Sequence, residues 1–460
     1  MFTPPCYNKG NNAISCPPVG QKGATMDTNI LDFGAVAGGK VLCTKAIQAA
    51  IDEAAASGGG RVTVPAGLYL TGSIWLRNNV ELHLSHGATL KASENMDDYN
   101  DVDAYPQNLS SPVSEKWVGK HLLIALECEN VALTGTGVID GSGDAFFDPE
   151  PKFYSVHVWR DGLQEVRPEK CPRPGQLLAF IECRRVLVEN VTLCNQPCWG
   201  CFLHGCEYVT VRGLQTRNPH SHFNSDGIDI DCCRFVTVSD CIFDTGDDCI
   251  AIRGADKKLK NRPKPCEYIT ITNCVLGSCS NAIRLGVGNS VIRHVRISNL
   301  VITRGAPAVT LQSSYHGSGS VSIEDVRIAH VSAMDCSRPF EILEGANVPI
   351  RDVVLEDFVV ETSGYFHLHS DFPESVCGIT LRHWNVTLTK PPVPTVEKDI
   401  LRRGTAWFRA ENIKGLRLED FHVSDPEGHI AANWPDGAFA LEGCDDRRFA
   451  DVSVNGVEIE

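Results

Sequence analysis

A short strand pattern returns through this chain, and its recurrence restricts the fold more than any other feature. It reads Cys128-Glu129-Asn130-Val131-Ala132-Leu133, Cys183-Arg184-Arg185-Val186-Leu187-Val188, Cys206-Glu207-Tyr208-Val209-Thr210-Val211, Cys233-Arg234-Phe235-Val236-Thr237-Val238 and Cys266-Glu267-Tyr268-Ile269-Thr270-Ile271. Without the cysteine it continues at Val295-Arg296-Ile297, Val326-Arg327-Ile328 and Val353-Val354-Leu355. From Val186 onward the first apolar residues are separated by 23, 27, 33, 26, 31 and 27 positions, a period of the kind that marks a solenoid. Alternation with period two sends the aliphatic residues to one face and Thr, Arg, Glu and Ser to the other. One such strand is too short to bury its own apolar face, so the coils must stack. The spacing predicts an all-β chain wound as a right-handed parallel β-helix of about ten coils, with equivalent side chains in rows about 4.8 Å apart.

Length and composition fit that architecture. A globule of 460 residues would ordinarily divide into domains, whereas a solenoid lengthens along its axis. One helix is predicted near the start, with Thr44 as N-cap, Ala46, Ile47, Ala50, Ile51 and Ala54 on one stripe, and Gly58-Gly59-Gly60 beyond its end. It would cover the open apolar end of the stack, since terminal coils need a cap. Residues 1–25 carry Pro, Gly and Cys without an apolar run and read as an N-terminal extension, which leaves 26–460 as a single β-helix catalytic domain. No secretory leader or membrane span is visible, which points to the cytoplasm, or to a secreted or periplasmic protein if a leader has been removed.

A net charge of −15 leaves no basic run to offset phosphate repulsion, so nucleic acid and anionic membranes are not expected as partners. Twenty cysteines invite disulfide, metal and redox readings. Most recur at one strand-edge position, where a small apolar side chain stacks well, and are read as core. Cys198-Trp199-Gly200-Cys201 has redox spacing but lies in a strand region and not at a helix start. No metal and no organic cofactor are expected.

Two acidic clusters interrupt the strands, Asn224-Ser225-Asp226-Gly227 and Gly246-Asp247-Asp248-Cys249. Asp226 and Asp247 are 21 positions apart, close to one coil, so three carboxylates from successive coils can meet on one face. Carboxylates roughly 6.5–9.5 Å apart leave room for a water and hydrolyse a glycosidic bond with inversion. Crowding the like charges raises the pKa of one of them and keeps it protonated near neutral pH, which suits a general acid. An Asp in a solenoid turn otherwise bonds only backbone, the role expected of Asp229, Asp231, Asp240 and Asp244.

With Asp32-Phe33-Gly34-Ala35, the Gly-rich segment 56–67, Asn195-Gln196-Pro197-Cys198-Trp199, Asn224-Ser225-Asp226-Gly227-Ile228-Asp229 and Gly246-Asp247-Asp248-Cys249-Ile250-Ala251-Ile252, the chain resembles the polygalacturonase family of glycoside hydrolases. The resemblance implies Asp247 as general acid, with Asp226 and Asp248 activating water. Two family motifs are altered. Where a Gly-His-Gly is expected the chain has Cys279-Ser280-Asn281, so Ser280 takes the His position. Where the family has Arg-Ile-Lys, which grips the galacturonate carboxylate, it has Thr310-Leu311-Gln312. With Val309 and Leu311 inward, Thr310 and Gln312 face the cleft without charge.

Two cations could substitute. With Ile250, Ile252, Ile283 and Leu285 inward, Arg253 and Arg284 face the cleft, where stacked guanidinium groups can hold a carboxylate. Alternatively they pair with the catalytic carboxylates or with Glu341. Further cleft candidates are Asn281, Trp199, Phe202 and His204, and downstream Glu341, Glu344, Tyr365, His367 and His369. Segments 96–120 and 141–176 break the repeat and would wall off one end of the groove, favouring attack at the ends of pectic oligosaccharides or polysaccharides. The sugar is then neutral, or a galacturonate held by Arg253 and Arg284. An inactive carbohydrate-binding solenoid and a polysaccharide lyase on the same fold are the alternatives. A monomer is expected, with a dimer through an exposed end strand as the other possibility.

Overall fold

The Val-Thr-Val alternation becomes an alternation of burial: in Arg234–Ser239, Val236 and Val238 are buried while Phe235 and Thr237 are exposed. This is a computed structural model, which describes residues 26–101, 117–150, 152–159, 162–170, 172–315, 319–391 and 404–459; the extension expected over 1–25 lies outside them. Strands of the repeat pair in parallel with their equivalents in the coils before and after. Val186 aligns with Val209, Val209 with Val236, Val236 with Ile269, Ile269 with Val295, Val295 with Val326 and Val326 with Val353. This first ladder runs from Met26–Asn29 to Arg448–Val454, fourteen strands among the described residues and more than the ten coils expected. The surplus lies at the ends, in Gly60–Val64, Val80–Leu84, Arg417–Ser424 and Arg448–Val454, whose short or aromatic-bearing strands the repeat motif does not reach.

Two further ladders complete a right-handed parallel β-helix. The second joins Gly67–Thr71, Ala88–Ala92, Val138–Asp140, Thr192–Cys194, Gln215–Arg217 and Ile242–Thr245. The third joins Leu123–Leu126, Leu178–Ile181, Cys201–His204, Ile228–Asp231, Ile250–Gly254 and Ile283–Gly288, and continues into the later long strands. Inward residues of all three meet in one contiguous core. Cys128, Cys183, Cys206, Cys233 and Cys266 form a buried row in five successive coils, as core. Their thiols lie against backbone carbonyls, Cys206 Sγ for example 3.2 Å from Phe180 O. No disulfide joins the described cysteines.

The predicted helix is Thr44–Ala56, with Ile47, Ala50, Ile51 and Ala54 buried against the first strands. Its N-cap position is Cys43 and not Thr44. Thr44 opens the helix, and its Oγ1 instead accepts from the Gly72 N–H at 2.7 Å, tying the helix to the coil beneath. In the irregular segment 141–176 an antiparallel hairpin, Lys152–Trp159 with Gly162–Val166, forms a two-stranded sheet of its own, and Arg173–Pro174 pairs with Trp117–Val118. Among the described residues no helix is long and apolar enough to cross a membrane.

Ile328 is fully buried between Ile297 and Leu355 on the first ladder, remote from the third. Ile328→Ala should lower stability by about 2–5 kcal/mol through lost burial and a residual cavity. Chemical denaturation should show that loss, with the activity of the folded protein unchanged.

Candidate active site

Strict alternation on the third ladder, Ile228-Asp229-Ile230-Asp231 and Ile250-Ala251-Ile252-Arg253, buries the isoleucines and turns the other residues outward. Register aligns Phe202, Asp229, Ala251, Arg284, Thr310, Glu341 and His367 in one outward row. His204, Asp231 and Arg253 form a second row beside it. The turns that lead into these strands carry Asp226 and the Asp247-Asp248 pair. At Gly227 an added Cβ would lie 2.5 Å from the Cys249 carbonyl oxygen, so glycine is what lets this turn press Asp226 against the next coil.

One oxygen from each of Asp226, Asp247 and Asp248 lies within 4.8 Å of the others. That is closer than the 6.5–9.5 Å expected from coil spacing plus an offset along the strand. Both turns precede strands in register, Ile228 opposite Ile250, so the offset is absent and the side chains converge. Asp248 is 1% exposed; its Oδ1 accepts from the Asn281 backbone N–H at 3.2 Å and from Asn281 Nδ2 at 2.6 Å, and its Oδ2 is 2.5 Å from an Arg284 guanidinium nitrogen. Asp226 is 2% exposed, and its Oδ1 accepts no hydrogen bond. Asp247 is the most exposed of the three and accepts from Asn224 N at 3.2 Å and Asn224 Nδ2 at 3.4 Å.

Burial, then the like charges of Asp229, Asp247 and Asp248, push the Asp226 carboxyl well above the usual range. Asp229, also fully buried, is pushed up to about 8 by burial, against the pull of Arg253 and Arg284. Crowding was expected to raise the general acid, Asp247; the raised carboxyls are instead Asp226 and Asp229. Burial also acts on Asp231, but His204 at 3.3 Å, Arg253 and the Ala255 N–H outweigh it and hold that carboxylate below its usual value. Asp229 and Asp231 are therefore outward strand residues and not the turn residues expected, although Asp231 does accept a backbone N–H as expected, from Ala255 at 2.7 Å.

Several cleft candidates have other partners. Thr310 is 2% exposed and its hydroxyl donates to Asn281 Oδ1 at 2.7 Å, so neither offers a free group to a ligand and both position Asp248. Ser280 Oγ accepts from Asn281 Nδ2 at 3.2 Å, and Gln312 is half-buried at the end of the Val309–Gln312 stretch. Arg253 and Arg284 are not stacked, because Arg284 aligns with Ala251. Arg284 is committed to Asp248; Arg253 lies 4.5 Å over the Trp199 ring, 3.6 Å from Asp231 and 3.8 Å from Asp229. Glu341 is buried 3.2 Å from Arg338 and 3.6 Å from His367, and meets neither arginine. Tyr365 belongs to the core, and Glu344 accepts from Ser370 at 2.7 Å, so both are structural. His369 bridges Glu411 and Asp371 at 2.9 Å each. Trp199 and Phe202 pack with Trp117 as a buried aromatic wall, with His204 stacked on Phe202.

Sequence reasoning missed Asp229 and Arg173. The Ile-Asp-Ile-Asp alternation was the available signal for Asp229, since a turn does not alternate. Arg173, fully buried, donates to Asn224 Oδ1 at 2.7 Å and so connects the long insertion to the residue that binds Asp247. No local pattern marks it. The hairpin of the same insertion brings its first strand within 8 Å, between Cα atoms, of Val291–Gln312 and Ser322–Glu344, downstream of the carboxyl cluster.

Residues 58–370 match the profile of Glycosyl hydrolases family 28. A probable polygalacturonase of Vitis vinifera is 26% identical over 371 residues, 75% of this chain and 70% of that protein. An exo-poly-alpha-D-galacturonosidase of Dickeya chrysanthemi is 26% identical over 62% of this chain, and the match spans about half, 52%, of its own length. Among solved structures, a hyperthermoactive exopolygalacturonase from Thermotoga maritima has a TM-score of 0.63 at 24% identity, covering 79% of this chain and 88% of that one. A family 28 exopolygalacturonase from Yersinia enterocolitica has a TM-score of 0.62 at 19% identity, covering 94% and 78%. These two likenesses speak for the fold.

Asp229 ionises near 3.8 when the chain is unfolded and near 8 when folded, so rising pH through that window draws the chain toward the unfolded state. Asp229→Asn removes the penalty. The variant's melting temperature should match or trail the parent's near pH 4 and gain on it steadily up to about pH 8. A pH-independent difference in thermal melts would show that Asp229 ionises normally.

Proposed function

The chain belongs to the glycosyl hydrolases of family 28, and from that premise we propose that it releases terminal sugars from pectic oligosaccharides by an inverting single displacement. As a polygalacturonase-family glycosidase it acts on polysaccharide; the bond, the direction of attack and the residue roles are the proposal. The observation that carries it is the convergence of Asp226, Asp247 and Asp248 from two adjacent coils. Family membership disfavours the inactive-solenoid and lyase alternatives. Residues 26–460 act as one catalytic unit and a monomer.

Asp247, the most open of the three carboxyls, donates its proton to the glycosidic oxygen as the C–O bond breaks. Asp248 takes a proton from the attacking water. Its ion pair with Arg284 and two hydrogen bonds from Asn281 fix its orientation and restrain it from swinging in as a covalent nucleophile. Asp226, deeply buried beside them, helps hold the water. The short separation of nearest oxygens, taken alone, would favour retention. Inversion therefore rests on this division of roles.

Attack at chain ends is supported by the hairpin that passes from the upstream coils toward the downstream strands and shortens the groove. A neutral sugar beside the scissile bond is supported by the uncharged Thr310 and Gln312 and by the prior engagement of Arg284 and Arg253 with protein carboxylates. Seating a uronate there would strip Asp248 of its cation, leaving two buried anions to share one arginine.

Asp247→Asn should lower kcat by roughly 10²–10⁴-fold with the melting temperature unchanged, since shape is kept and the transferable proton is lost. Near-normal turnover of an unactivated substrate would remove Asp247 from the role. NMR of the first product formed should show inverted anomeric configuration, and a trapped glycosyl-enzyme would overturn that assignment. In a screen of nitrophenyl glycosides and pectic oligosaccharides, neutral-sugar substrates such as rhamnosides should be preferred. Efficient hydrolysis of unsubstituted polygalacturonate would reverse the specificity reading.

A further inference from the structure

Far from the carboxyl cluster, at the C-terminal end of the first ladder, a group of imidazole and carboxylate side chains has the composition and second contacts of a metal site. Asp420 and Asp451 occupy equivalent corner positions of successive coils, since the Phe421 and Val452 that follow them are aligned, with φ of 53° and 56°. His422 stands between them. Its Nε2 lies 2.7 Å from Asp420 Oδ1 and 3.9 Å from Asp451 Oδ2, and one ligand atom from each of the three lies within 4.8 Å of the others. One coil earlier, His383 presents Nε2 4.0 Å from Asp420 Oδ2.

Contacts outside this group orient both rings. His422 Nδ1 is 2.9 Å from Ser453 Oγ, and His383 Nδ1 is 3.0 Å from Asp357 Oδ1. A histidine that ligates a metal through one nitrogen typically gives its other N–H to a hydroxyl, carbonyl or carboxylate, which fixes the tautomer and the aim of the ring. Here both imidazoles are tied at Nδ1, and both turn Nε2 toward the same carboxylate. A plain ion pair needs only one nitrogen of one ring.

We propose that Asp420, His422 and Asp451 bind one divalent transition-metal ion of the zinc class, with His383 or water as the fourth ligand. One or two imidazoles with two carboxylates suit such an ion, whereas calcium prefers six to eight oxygens, more than this corner supplies. The ion would pin the last two coils together at a solenoid end.

The test is zinc titration of the whole protein by calorimetry, alongside calcium, with melts at each end point. The parent should take up one zinc ion per chain, gain several degrees in melting temperature and ignore calcium at the same concentration. His422→Ala and Asp451→Asn should each weaken zinc binding by roughly tenfold or more, and neither should alter glycosidase turnover without metal. Asp451 is 75% exposed at its side chain, so its variant is expected to fold. Since the catalytic carboxyls also converge, Asp226→Asn serves as the control and should bind zinc like the parent. No uptake by the parent, uptake unchanged in both corner variants, or uptake abolished by Asp226→Asn would each overturn the assignment.

Discussion

Parallel register between successive coils is the constraint on which the rest of this protein depends. A slip of one residue would turn Val236 and Val238 outward and bury Phe235 and Thr237, so the apolar rows and the hydrogen-bond ladders enforce each other. Once fixed, the register places like over like. For valine, isoleucine and cysteine that is favourable, as the core and the row of five thiols show. For aspartate it is not.

The acidic site is that unfavourable case put to use. Asp226, Asp229 and Asp248 are brought together by the same stacking that aligns Ile228 with Ile250, and no side-chain motion can separate their coils. The cation that relieves them arrives from the following coil, where Arg284 aligns with Ala251. Burial works against the Arg284 charge, yet the surrounding aspartates strengthen its hold on the proton. An arginine committed in this way shapes the acidic cluster. The altered Thr310-Leu311-Gln312 motif and the commitment of Arg284 thus belong to one arrangement, with Thr310 reaching Asp248 through Asn281.

The parts of this molecule legible in its sequence are those governed by periodicity. Val186 through Val353 announced the ladder, and the 21-residue step from Asp226 to Asp247 announced that two coils would share a site. Asp229 and Asp231 were misread because a turn preference was applied where the alternation already marked a strand. Thr310 was rightly turned outward, but its burial depends on Asn281 from the coil before, a neighbour set by register. Arg173 lies within an insertion that obeys no period, and its reach to Asn224 follows from tertiary placement alone. The cap at Cys43 shows the same limit at small scale: Thr44 has the chemistry of an N-cap, but the neighbouring Gly72 N–H claimed its oxygen.

Because the three clustered carboxyls straddle the seam between Ile228–Asp231 and Ile250–Gly254, and the next coil supplies the Asn281 and Arg284 that hold Asp248, the stack has one stretch where its length cannot change. A coil duplicated downstream of Ser322–Glu344, or lost near Arg448–Val454, would alter reach and leave Asp226 facing Asp247. A coil inserted at the seam would move them apart by about 4.8 Å and disperse the cluster at a stroke. Descent can therefore lengthen, shorten or decorate the stack beyond these coils, while the seam and the coils that brace it are inherited whole.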